Sequence, residues 1–74
     1  MSKKDKIEDE IKNLNAIRAM YHRDLEEFEK KYKDKEISKE DFEKHRINYD
    51  KKREKIRKKI HILEEKLEQL RKNR

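Results

Sequence analysis

The sequence predicts an all-α protein, an antiparallel coiled-coil hairpin with a helix over about 4–34, a turn over 35–38 and a second helix over 39–72. Three observations predict it. The chain of 74 residues contains no Gly and no Pro, so neither backbone permissiveness nor ring sterics interrupts a helix. Its apolar residues recur at alternating spacings of four and three in both halves, the signature of a heptad repeat. Near the middle, "EISKEDF" at 36–42 carries the start signal of a new helix.

The first helix presents Ile7, Ile11, Leu14, Tyr21, Leu25, Phe28 and Tyr32, with Arg18 as the polar interruption. Multiples of seven are d positions; Ile11, Arg18, Leu25 and Tyr32 are a positions. Lys33, Asp34, Lys35 or Glu36 must supply the stop, because no Gly is present to take the left-handed position after the helix. An unusual backbone conformation is therefore expected at Lys35 or Glu36.

The second helix has a clearer beginning. Ser38 is a cap residue, and Asp41 three positions later can answer it. Ile37 and Phe42 have the spacing of a hydrophobic staple. The helix then presents Phe42, Tyr49, Ile56, Ile60, Leu63, Leu67 and Leu70, interrupted by Arg46 and Arg53.

Both halves share one heptad phase, so a continuous helix is formally allowed. Folding about residue 37 pairs a with d residues whose numbers sum to 74. Tyr32 then meets Phe42, Leu25 meets Tyr49, Leu14 meets Ile60, Ile11 meets Leu63 and Ile7 meets Leu67. Phe28 meets Arg46 and Tyr21 meets Arg53, where a guanidinium can lie on an aromatic face. Arg18 meets Ile56 and must lift its charge to the edge. Asp24 with Lys52 and Glu10 with Lys66 are candidate flanking ion pairs. A parallel dimer of continuous helices would stack Arg18, Lys35, Lys39, Arg46 and Arg53 on their own copies, which opposes it. A domain-swapped antiparallel rod has the same layers as the hairpin and stays open as an alternative.

Residues 25–46, "LEEFEKKYKDKEISKEDFEKHR", resemble the short C-terminal (SHOCT) domain family. Leu25, Phe28 and Tyr32 stand on that family's spaced apolar positions. Ile37, Ser38, Glu40, Asp41 and Phe42 stand on its Ile-Thr-x-Glu-Glu-Phe positions, while Lys35 or Glu36 replaces its turn Gly. The resemblance implies a helical hairpin used for oligomerisation or binding rather than catalysis.

Composition narrows the function. Charged residues make up 57% of the chain and hydrophobic residues 30%, values typical of disorder were the apolar residues not periodic. The Lys/Glu enrichment is thermophile-like. The absence of Cys excludes disulfides, thiolate metal sites and cysteine nucleophiles. No apolar run approaches the ~20 residues of a membrane span, and "MSKKDKIEDE" has no apolar signal core. A cytoplasmic protein is expected, associated with nucleoid or ribosome if nucleic acid is its partner. No enzyme, cofactor or small-molecule substrate is expected, because a two-helix rod offers no enclosed pocket. His22 with Glu26 and His61 with Glu65 have metal-compatible spacing, but such pairs arise readily in so charged a chain and no metal site is assigned.

The charge is uneven. Residues 1–36 carry ten basic and ten acidic side chains; residues 37–74 carry fourteen and eight, which accounts for the net +6. The densest block, "KKREKIRKK" at 51–59, has seven basic residues and one acid. Lys44, Lys51, Lys55 and Lys58 fall on the outer face of the second helix, and Lys52, Arg57 and Lys59 flank the seam. Together they form a stripe about 20 Å long, suited to the phosphate backbone of DNA or RNA without sequence readout. Aromatic residues stay in the seam, so base stacking is not expected.

The other candidate surface is apolar. Ala16, Ile17, Ala19 and Met20 on the first helix, with Ile47 and Ile62 on the second, lie off the seam. A core of about fourteen large apolar residues is thin for a lone domain. A homodimer of hairpins forming a four-helix assembly is therefore expected, and a purely protein-binding scaffold is the alternative to nucleic-acid contact. Fraying is expected at 1–3 and 73–74.

Overall fold

The computed structural model describes residues 2–72. Two helices, α1 (Lys3–Lys33) and α2 (Lys39–Lys72), form an antiparallel hairpin measuring 57 × 18 × 12 Å. The chain reverses over 34–38, so within one chain the hairpin is formed and not the rod.

The stop of α1 is a Schellman motif built without Gly. Asp34 caps the helix, and Lys35 takes the left-handed conformation with φ 61°. The Lys35 N–H donates to the Tyr32 carbonyl (3.0 Å) and the Glu36 N–H to the Lys31 carbonyl (2.8 Å). Two otherwise orphaned carbonyls are satisfied this way. A β-carbon in this region crowds the following carbonyl. Lys35→Gly should therefore raise stability by about 1 kcal/mol, the steric relief exceeding the added flexibility of the unfolded chain. Urea denaturation followed by circular dichroism reads this as a higher midpoint.

The start of α2 follows at once. The Asp41 N–H donates to Ser38 Oγ at 3.1 Å, and Ile37 and Phe42 are both half-buried. The backbone half of the capping box is made; no return bond from the Asp41 carboxylate accompanies it among the described residues. Glu40 and Asp41 occupy the positive end of the helix dipole, and Arg71 and Lys72 the negative end. Ser2 caps α1 in the same way, accepting from the Asp5 N–H at 3.1 Å. Ser2-Lys3-Lys4-Asp5 has the same cap spacing as Ser38-Lys39-Glu40-Asp41. Met1, Asn73 and Arg74 lie outside the described residues.

The packing is uneven along the rod. Among the described residues only Ile56, Ile60 and Leu63 fall below a tenth exposed, and all three belong to α2. Nearer the turn the layers are aromatic. Tyr32 and Phe42 stack with centroids 4.9 Å apart, the expected layer. Two expected layers are corrected. Phe28 stacks on His45 at 3.5 Å between centroids, not on Arg46, and the Tyr21 ring carries Lys52 Nζ at 5.1 Å, not Arg53. His45 and Lys52 are the g residues immediately before the a-position arginines. Each aromatic ring leans towards its facing g residue, and the arginine leaves the seam.

The expected pairs Asp24–Lys52 and Glu10–Lys66 are also absent. Every basic–acidic side-chain contact among the described residues lies within one helix: Lys4–Glu8, His22–Glu26, Glu54–Arg57, His61–Glu65 and Glu68–Arg71. Exposed pairs of this kind contribute little, so register is set by the apolar and aromatic layers.

Candidate nucleic-acid interface

The heptad phase sorts the basic residues of α2 by face. Lys44, Lys51 and Lys58 stand at successive f positions on the outer surface, spaced about 10.5 Å apart along the axis. Lys55 is at c; Lys52 and Lys59 are at g. From 44 to 59 the f, c and g positions read Lys44, His45, Asn48, Lys51, Lys52, Lys55, Lys58 and Lys59, with no carboxylate. The six lysines are exposed, and among the described residues none has an acidic group within ion-pair distance. One of them, Lys52, is held over Tyr21.

Arg57 separates from this set. It stands at an e position, on the other side of the hairpin, and is held by Glu54 in a two-pronged pair. Its Nε donates to Glu54 Oε2 at 3.0 Å and its Nη2 to Oε1 at 2.6 Å. The hydrogen bond from Arg57 lowers the Glu54 carboxyl below its ordinary range, and Glu54 in turn raises the guanidinium. The pair's contribution is present above the ordinary carboxylate range and is lost as pH falls through the lowered value. Both side chains reach solvent, 62% exposed for Arg57 and 45% for Glu54, so solvent screens the effect.

The apolar candidates divide as well. Ile17 at g and Met20 and Ile62 at c lie on one side of the hairpin, 38%, 60% and 52% exposed. Ile62 lines a groove there with Glu10, Asn13, Leu14, Lys59 and Leu63. Ile47 and Ala19 stand at b, towards the opposite side, and Ala16 at f on the back of α1. Of the strip expected from sequence, Ile17, Met20 and Ile62 share one side of the hairpin and the other residues do not.

The opposite side was not anticipated from the sequence. There Arg18, Arg53 and Arg57 line an open groove with Asn15, Ala19, His22 and Tyr49. His22 Nε2 lies 2.9 Å from Glu26 Oε1, and its Nδ1 hydrogen-bonds the Tyr49 hydroxyl at 3.3 Å. The signal was present in the heptad phase. Two a-position arginines and an e-position arginine come level when the chain folds about residue 37.

Both His–Glu spacings form direct side-chain pairs, His61 Nε2 lying 3.1 Å from Glu65 Oε1. Among the described residues no group of three or more His, Asp or Glu is placed to hold a metal ion, and no helix is long and apolar enough to cross a membrane. Comparison with protein-family models, curated proteins and solved structures finds no match to the chain.

Proposed function

We propose that the protein is a non-enzymatic basic hairpin that contacts the phosphate backbone of DNA or RNA through α2, without reading sequence. The observation that carries this reading is the carboxylate-free face from Lys44 to Lys59. A solubilising surface normally alternates charge so that lysines meet carboxylates one turn away. Here the six lysines form no ion pair among the described residues, and the only acid within 51–59, Glu54, one turn from Lys58, is paired with Arg57. Cations on a straight rod bind a polyanion by releasing its counterions.

The test is a salt series against duplex DNA, single-stranded DNA and structured RNA. With about five phosphate contacts, log affinity for duplex should fall against log salt with a slope of about −4.5. A slope near zero, or no binding at low salt, sinks the reading.

A second reading, self-association into a four-helix dimer, is favoured by the exposed patch of Ile17, Met20 and Ile62 beside a core of only three well-buried residues. The SHOCT resemblance of residues 25–46, with its link to oligomerisation, agrees with it. Ile17→Glu with Met20→Glu should convert a dimer to a monomer in sedimentation equilibrium. An unchanged mass for this double variant would remove the patch from the interface. The two readings overlap on one side of the hairpin, where Lys52, Lys55 and Lys59 lie on the side of the patch; the outermost line of Lys44, Lys51 and Lys58 stays clear of it.

A further inference from the structure

We propose that the arginine-lined groove on the opposite side of the hairpin is a binding site for a compact phosphate dianion, a phosphate monoester or diphosphate. This site is distinct from the lysine face and does not depend on it.

Chain reversal produces the groove. Arg18 and Arg53 occupy a positions, where the seam cannot keep a guanidinium away from water. Each side chain therefore rises to the rim. On the g side of its layer Lys52 already covers the Tyr21 ring, so Arg53 emerges on the e side. Arg57 is an e residue of the same helix. With layer numbers summing to 74, Arg53 stands level with residue 21 and Arg57 with residue 17, both close to Arg18. The three arginines thus fall within about 6 Å along the rod axis.

The groove has an open volume of about 510 Å³. Its neighbours are of similar size, so chemistry and not volume distinguishes it. No carboxylate lines it. The adjoining groove sets Glu8 and Glu64 against Lys12 and Arg18, and the one across the hairpin sets Glu10 against Lys59. Among the described residues Arg18 and Arg53 have no side-chain hydrogen bond or ion pair. Arg57 is anchored through Nε and Nη2, which fixes its plane and leaves the Nη1 donors unused. Asn15 and the Tyr49 hydroxyl, tethered by His22, add neutral polar groups.

Converging forks suit a compact ligand with several oxygens and two charges. A phosphodiester backbone has one charge per phosphate and is matched better by the extended lysine line. The dianion can come from a free phosphate ester or from the terminal phosphate of a nucleic-acid strand.

The test titrates inorganic pyrophosphate into the full chain by calorimetry at about 0.15 M salt, where charges more than about 8 Å apart are largely screened. Saturable one-site binding is expected. Arg18→Gln with Arg53→Gln should weaken it at least about tenfold, the loss of charge-assisted hydrogen bonds, with helicity unchanged by circular dichroism. The Lys51→Glu, Lys55→Glu, Lys58→Glu variant should stay within about threefold of the unmodified chain, because those charges lie across the rod and are screened. Absence of saturable binding, or equal binding by the arginine variant, overturns the proposal. Loss in the lysine variant alone overturns it too and returns the effect to the basic face. Single-stranded oligonucleotides with a 5′-phosphate or a 5′-hydroxyl then separate the sources. An arginine-dependent preference for the phosphorylated strand assigns the site to strand ends; pyrophosphate binding without that preference assigns it to free phosphate esters.

Discussion

Replacing Ile60 by alanine should lower stability by about 2–4 kcal/mol and leave much of the population unfolded at room temperature. Ile60 sits between Ile56 and Leu63 in the stretch that excludes water best among the described residues. Truncation removes three carbons and leaves a gap that two stiff helices fill poorly. A core of this size supplies on the order of 3–5 kcal/mol in total, so the loss is comparable with the whole. The matched control is Ile47→Ala, at a site 55% exposed, which should stay within about 0.5 kcal/mol. Circular dichroism with urea denaturation measures both. Equal midpoints for the two variants would show that the well-buried stretch does not hold the hairpin together.

Charge reversal at Lys51, Lys55 and Lys58 should lower affinity for duplex DNA by on the order of a hundredfold or more and flatten the salt slope by about 2.7. The three lysines lie on one face, and among the described residues none has a carboxylate within ion-pair distance. Reversal adds repulsion as well as removing attraction. The control is Lys6→Glu with Lys12→Glu on α1, where Lys12 stands close to Glu8 and Glu64. It should change affinity only about twofold or less if the face, and not net charge, binds. An intact gel shift for the triple variant, with helicity preserved, ends the nucleic-acid reading.

Most of the fold was legible because heptad phase and cap chemistry are local signals. Ser38 and the Ile37–Phe42 spacing placed the start of α2, and the lack of Gly pointed to a strained residue at Lys35 or Glu36 before its φ of 61° was seen. The Tyr32–Phe42 layer followed from arithmetic alone. The arithmetic failed one residue away, at Phe28 and Tyr21. Layer pairing treats a and d as points, but a large ring leans, and the g neighbours His45 and Lys52 met it instead. The same omission hid the arginine groove. Layer pairing sends Arg18 to the edge and Arg53 onto Tyr21 but does not say which edge each charge reaches, and so does not bring the two together with Arg57. The cap at Ser2 has the same Ser-x-x-Asp spacing as the mid-chain cap and is legible on the same chemistry.

The hairpin brings Ser2, Lys3 and Lys4 beside Leu67, Leu70 and Arg71 at the end away from the turn. A pull applied to both ends of the chain therefore loads the layers one after another, as a zip is opened, and not all together in shear. The resisting force at any moment is that of a single layer. The first layers to part are half-buried leucines, the next are Leu63, Ile60 and Ile56, and the aromatic stacks by the turn part last. Mechanical resistance thus peaks about a third of the way along the rod and declines towards Lys35. A chain held between two attachment points at its ends would extend in two stages, the second beginning once Ile56 has parted.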